Sequence, residues 1–141
     1  MICVPLAVGD NRLGVMQLLN KQGGNYTTRD VLLLEQDAAL ASGLQAVKQR
    51  LRADMLSVLR TDALAWMARS APERFELVLL DPPFQGTHLL PAVAAAGPLV
   101  VPGGFLYVES ASPLAEPPAK HSLHRRLKAG AVHAQLWQRQ A

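Results

Sequence analysis

The chain has 141 residues, half of them hydrophobic, 18% charged and 5% aromatic, with a net charge of +3. That length suits one compact domain burying about two thirds of its unfolded surface, and the composition argues against a disordered chain. No apolar run reaches the roughly 18 residues of a membrane span, the amino terminus lacks the layout of a signal peptide, and the lone cysteine excludes an internal disulfide or a multi-cysteine metal site; a cytoplasmic protein with no membrane partner and no metal is expected. That cysteine, Cys3, lies between Ile2 and Val4 and reads as buried rather than reactive.

In chain order, Ile2 to Val8 and Leu13 to Leu19 are apolar runs joined by Gly9-Asp10-Asn11-Arg12, the pattern of a β-hairpin. A polar, glycine-containing stretch follows from Lys21 to Asp30. Val31 to Leu34 has two readings. Thr27 with Asp30 resembles a capping box, which would start a helix near Thr28, whereas the short apolar run reads as a strand. The strand is preferred, because later segments need a sheet partner. Asp37 to Leu51 carries Ala38, Ala41, Leu44, Val47 and Leu51 at helical spacing, and shorter helices are expected over Ala63 to Ala68 and Leu89 to Ala96. Between them lie apolar runs at Met55 to Leu59, Leu77 to Leu80 and Gly104 to Val108. Short strands alternating with helices predict an α/β fold with a parallel sheet covered on both faces.

The carboxyl-terminal part changes style. Three prolines make Ser110 to Lys120 a loop, and His121 to Lys128 and Ala131 to Arg139 flank Ala129-Gly130 as an antiparallel hairpin. Pro117 to Ala141 contains five basic residues (Lys120, Arg125, Arg126, Lys128, Arg139) and no acid, leaving the other 116 positions at −2. Such a hairpin suits phosphate contacts, and equally a solvated basic surface.

The sharpest chemical signal is Leu77-Val78-Leu79-Leu80-Asp81-Pro82-Pro83-Phe84: a buried strand ends on an acid, two prolines that remove backbone donors, and an aromatic ring. Chemistry on an exocyclic base amine needs oxygen acceptors for the N–H groups, which Asp81 and the Pro82 carbonyl supply. It also needs a plate to hold the base, which Phe84 supplies by stacking. Asp-Pro-Pro is also a common way to leave a strand.

Asp81-Pro82-Pro83-Phe84 resembles motif IV of the S-adenosylmethionine-dependent amino-group methyltransferases. With Leu33-Leu34-Glu35-Gln36-Asp37, Pro102 to Ser110, and the end from Leu123 to Arg139, residues 31 to 141 are similar to the bacterial enzymes that methylate guanine N2 in 16S ribosomal RNA. The resemblance implies a Rossmann-like methyltransferase sheet of strand order 3-2-1-4-5-7-6. It implies S-adenosylmethionine as cofactor, and 16S rRNA or an assembly intermediate of the small ribosomal subunit as partner. By position, Asp81, Pro82 and Phe84 would be catalytic. Glu35 would bind the donor ribose and Asp62 would lie near its adenine, although an acid after a strand is often a helix cap. Pro83, Arg125, Arg126 and Lys128 would meet the substrate. Glu109-Ser110 would face the substrate, or serve only as a cap or surface group.

The departure is at the start. In that family the donor lies over a glycine-rich loop between the first strand and first helix, before the acid matching Glu35. Here Gly23-Gly24 is the only candidate, and too few residues remain before Val31 for a crossover helix. Residues 1 to 30 instead resemble the last strands of a GAF domain, a small-ligand sensor module. The expected architecture is therefore a methyltransferase sheet incomplete at its N-terminal end, with an N-terminal β-hairpin and a C-terminal antiparallel hairpin, split into a GAF-like segment 1–30 and a partial methyltransferase domain 31–141. A strand order lacking its central member would expose two edges; Leu13 to Leu19 is expected to fill the gap. The functional expectation is a guanine-N2 methyltransferase impaired or inactive as it stands. The alternatives are a non-catalytic fusion or truncation product and a GAF-type sensor or dimerisation module.

Overall fold

A computed structural model describes residues 7–8, 11–12, 15–19, 31–34, 38–52, 57–82 and 87–141. Two short strands, β1 (Ala7–Val8) and β2 (Asn11–Arg12), pair antiparallel. The main sheet contains β3 (Val15–Leu19), β4 (Val31–Leu34), β5 (Ser57–Arg60), β6 (Phe75–Asp81), β7 (Val100–Ser110), β8 (His121–Ala129) and β9 (Val132–Arg139), in the order β5-β4-β3-β6-β7-β9-β8. This order matches the expected one position by position, with β3 in the place of strand 1. Three helices connect the strands: α1 (Ala38–Arg50), α2 (Ala63–Arg69) and α3 (Leu89–Ala96).

Two expectations are corrected, and one pair of alternatives is decided. The N-terminal hairpin does not pair Ile2 to Val8 with Leu13 to Leu19; Asn11-Arg12, read as turn, form the second strand opposite Ala7-Val8. Val15–Leu19 joins the main sheet instead, its apolar run suiting a strand buried on both faces, while residues 2–6, 13 and 14 lie outside the described residues. The sheet is mixed rather than parallel. Its β4–β5 and β6–β7 pairs are parallel, but β3 runs antiparallel to both β4 and β6, and β8 and β9 are antiparallel as expected. Parallel neighbours need a crossover, and the eleven residues from 20 to 30 suffice only for an antiparallel return. Val31–Leu34 is a strand, so the capping-box alternative does not apply there.

Residues opposite one another in register share a face. Val78, Leu80, Leu106, Val108 and Trp137 form one buried face, covered by Met67 of α2 and by Ala92, Val93 and Ala96 of α3. The other face presents Leu77, Leu79, Phe105, Tyr107 and Leu136, all half-buried. In register, Val58, Leu32, Gln17, Leu79 and Tyr107 form one row across β5, β4, β3, β6 and β7, and α1 packs beside β5, where Gln45 Nε2 donates to the Val58 carbonyl at 3.3 Å.

The terminal hairpin is anchored through buried polar groups. Arg139 donates to the carbonyls of Pro98 and Val100 and pairs with Glu73 at 2.9 Å. Buried Gln135 brackets Leu114, accepting from its N–H at 2.7 Å and donating to its carbonyl at 3.3 Å, which ties the proline-rich loop to the core face. His121 Nδ1 lies 2.8 Å from the Ala119 carbonyl, so Nδ1 carries the hydrogen and buried Nε2 is an acceptor with no partner among the described residues. Burial pushes this imidazole below its ordinary value; the Ala119 carbonyl opposes the shift and the Arg139 charge adds to it.

Two predictions follow from this packing. The unfolded state takes a proton on His121 at higher pH than the folded state does, so stability falls as pH drops through about 6.5 and is unaffected by this group above it. Thermal unfolding at pH 7.5 and 5.5 should show that loss, and His121→Gln should reduce it. Gly104 is buried, and a Cβ there would meet the Glu76 carbonyl oxygen at 2.8 Å and Val100 Cγ1 at 2.9 Å. Gly104→Ala should cost about 1–3 kcal/mol in urea denaturation, the usual range for overpacking.

Candidate active site

Open α/β sheets bind ligands beyond the carboxyl ends of their parallel strands, where the strand order reverses. Here that point is β3. The row Arg60, Leu34, Val15, Asp81 runs straight across β5, β4, β3 and β6, so the segments leaving β4, β5 and β6 emerge at one edge. Leu80 pairs with Val108, which brings Asp81 beside Glu109 at the same edge.

The structure distributes the expected site residues unevenly over this edge. Asp81 ends β6 and is exposed, and half-buried Pro82 follows it. Pro83 and Phe84 lie outside the described residues, as does Glu35, which directly follows the last residue of β4. Asp62 lies two residues beyond β5, where its Oδ1 accepts from the Ala65 N–H at 2.8 Å as the cap of α2. The cap occupies one carboxylate oxygen; the second leaves acceptor capacity.

The three cations of β8 are all exposed, but the pleat divides them. A register shift between Leu123 and Arg125 sets Arg125 opposite Leu136, in the row of Tyr107, while Arg126 stands opposite Gln135 on the α2–α3 side. Lys128 pairs with His133, which pairs with Ser110, so it is two strands, or about 10 Å, from the carboxyl end of β7. The His124 ring packs edge-on against Phe105 with centroids 5.1 Å apart.

Sequence reasoning passed over Tyr107. Its hydroxyl donates to Glu109 Oε1 at 2.7 Å, both side chains half-buried on one strand face, and this fixes the acid at the site edge. The signal was present as Tyr-x-Glu, the two-residue spacing that places side chains on the same side of a strand.

The reversed β3 decides which part of the expected donor the edge fits. Its start, Val15, faces the site, and its end, Leu19, lies beside Leu77 at the opposite edge. The segment containing Gly23-Gly24 leaves from Leu19 and rejoins the sheet at Val31, which pairs with Leu18; both its anchors are therefore at the far edge. Among the described residues, Asp62 fits a nucleoside end, but no strand runs out into a glycine loop that would hold the methionine end. No group of three His, Cys, Asp or Glu able to hold a metal occurs among the described residues, nor any helix long and apolar enough to cross a membrane.

This fold and edge define a Rossmann-like α/β protein of methyltransferase type. The chain belongs to the family described as "Conserved hypothetical protein 95", whose profile matches residues 27–138. Among solved structures, it is similar to the proposed methyltransferase yhhF of Escherichia coli, with 28% identity and a TM-score of 0.66 over 77% of this chain and 62% of that one. A proposed methylase of Haemophilus influenzae is 23% identical, with a TM-score of 0.66 over 77% and 72% of the two chains. A conserved hypothetical protein of Streptococcus pyogenes is 16% identical, with a TM-score of 0.64 over 77% and 71%. The last two likenesses show the fold alone. The chain thus spans 62% of the length of the E. coli relative. No curated protein matches it significantly. The family match begins at residue 27, and nothing in these comparisons supports a GAF resemblance for the residues before it.

Asp62→Ala should cost about 1 kcal/mol of stability through loss of the α2 cap, measured by denaturant unfolding. A change well below that would mean that the cap is not maintained in solution.

Proposed function

We propose that this chain is an S-adenosylmethionine-dependent methyltransferase of the amino-group type, directed at the exocyclic N2 of guanine in 16S rRNA or a small-subunit assembly intermediate, and impaired in transfer as it stands. Membership of the family, with Asp81-Pro82-Pro83-Phe84 at the end of β6, is the observation that carries the reading. The division into a segment 1–30 and a methyltransferase part 31–141, and the cytoplasmic setting, belong to the same proposal.

The amine of guanine shares its lone pair with the ring. The Asp81 carboxylate and the Pro82 carbonyl would accept its two N–H groups, drawing density back onto N2, while Phe84 would stack on the extruded base and Pro83 would meet the substrate. Asp81 would also hold the proton that N2 sheds. When bound, S-adenosylmethionine supplies the electrophilic methyl group. Glu35 would accept from its ribose hydroxyls and Asp62 would lie by its adenine. Arg125, Arg126 and Lys128 would neutralise RNA phosphates along β8, which has no acid to oppose them.

The reversal of β3 supports impairment, because the side chains for the nucleoside end are kept while the loop for the other end has no strand to leave from. The same observation favours a second reading, a non-catalytic product that keeps the motif. Calorimetry with S-adenosylmethionine tests both. The expected result is binding weaker than low micromolar; a low-micromolar affinity lost in Glu35→Ala would establish a competent cofactor site and overturn the impairment. For the RNA surface, Arg126→Ala and Lys128→Ala should each weaken RNA binding and lower the slope of log K against log salt by about one. An unchanged slope would remove that residue from the interface.

A further inference from the structure

We infer that Glu109 reads the ring N1–H of the target base and so makes the site selective for guanine over adenine. This rests on the reading of Asp81 and Pro82 as acceptors for an exocyclic amine, and deepens it. Asp81 and Glu109 occupy adjacent positions on the parallel pair β6–β7, one residue beyond the Leu80–Val108 pairing, so their backbones are about 4.8 Å apart at the same edge. Alternation from the buried pair Leu80 and Val108 sets both residues on the opposite side of the sheet, the side of Tyr107. A base whose amine meets Asp81 therefore has its neighbouring ring nitrogen within reach of Glu109.

The Tyr107 hydroxyl donates to Glu109 Oε1 at 2.7 Å, which fixes the carboxylate and leaves Oε2 as an acceptor. Among the four bases of RNA, only guanine presents a ring N–H next to an exocyclic amine. Adenine and cytosine have an amine next to a bare ring nitrogen, whose lone pair a carboxylate repels; uracil has a ring N–H and no amine. Two acceptors side by side thus match the donor–donor edge of guanine.

Tyr107 also sets the outcome of a substitution. In Glu109→Gln, its hydroxyl would keep the amide oxygen at the Oε1 position and turn the amide NH2 toward the base, offering a donor where an acceptor stood. Adenine N1 fits that donor and guanine N1–H opposes it.

Titration of the full chain with GMP, 1-methyl-GMP and AMP, followed by NMR, tests the inference. The wild type should bind GMP about tenfold more tightly than either of the others, the discrimination typical of one well-placed base contact. Glu109→Gln, with an unchanged unfolding temperature, should lose that preference or favour AMP, and Tyr107→Phe should narrow the difference between GMP and AMP. Equal binding of GMP and 1-methyl-GMP by the wild type would overturn the role of Glu109 while leaving the amine site intact. Failure of all three nucleotides to bind at millimolar concentration would overturn the amine site, and the inference with it.

Discussion

The fold depends on one ladder. Among the described residues, β3 is the strand that joins the parallel pair β4–β5 to the block β6-β7-β9-β8, and it pairs along both its edges, with Leu34 to Val31 on one side and Asp81 to Leu77 on the other. Without it the facing edges of β4 and β6 would be bare, at the centre of a sheet whose apolar strands invite pairing with other chains. Five residues are enough because their run of Val15, Met16, Gln17, Leu18 and Leu19 suits burial on both faces. Direction matters less to this task than presence. An antiparallel strand supplies as many backbone hydrogen bonds as a parallel one, and its pairing is slightly more stable per residue.

Around that ladder the two halves are stabilised differently. The half made of β6, β7 and β9 has a buried face under α2 and α3, with Phe75, Val78, Leu106 and Val108 inaccessible to solvent. The terminal hairpin adds polar fixings. Arg139 reaches back 41 residues to the Pro98 carbonyl, and Gln135 reaches 21 to Leu114. The Arg139 and Gln135 side chains are themselves buried, so their polar groups are costly to leave unmet, and their partners define one position for the strand. The hairpin is therefore seated by its inward residues. The outward ones on β8, Arg125, Arg126 and Lys128, are left to meet solvent or a polyanion.

The legible part of this architecture was the part that periodicity and turn chemistry control. Helices at Ala38–Arg50 and Leu89–Ala96 followed from apolar spacing, and the strand ending at Asp81 from four consecutive apolar residues before two prolines. The resemblance supplied the strand order and the place for Leu13 to Leu19. Two features escaped. Asn11-Arg12 read as turn because asparagine favours positive φ, but they pair with Ala7-Val8 as a strand. The direction of β3 escaped because an apolar run has the same pattern in both directions; only the short connection from 20 to 30 hinted at antiparallel pairing. Of the site, Asp81 and Asp62 lie where spacing placed them, while the Tyr107 contact to Glu109 joins residues two apart on a strand and leaves no mark beyond that spacing.

The reversed strand also separates two functions that a complete edge would hold together. In the proposed reading, the acid on the nucleoside side would be Asp62, just beyond β5, and the base-side residues would be Asp81, the last residue of β6, and Glu109, the last but one of β7. The geometry of the second set is fixed by the β6–β7 ladder, whose register from Leu77 and Phe105 to Leu80 and Val108 contains no contribution from β3. What β3 changes is the backbone between the two sets, where a strand now begins instead of ending. A parallel strand would deliver its carboxyl end and a following loop to that spot; an antiparallel one delivers Val15 and the chain leading into it. The arrangement that would recognise a base therefore does not depend on the direction of β3, while the arrangement that would cradle a donor does. Loss of one carries no requirement for loss of the other, and base selectivity and cofactor affinity can be measured as separate properties of the same edge.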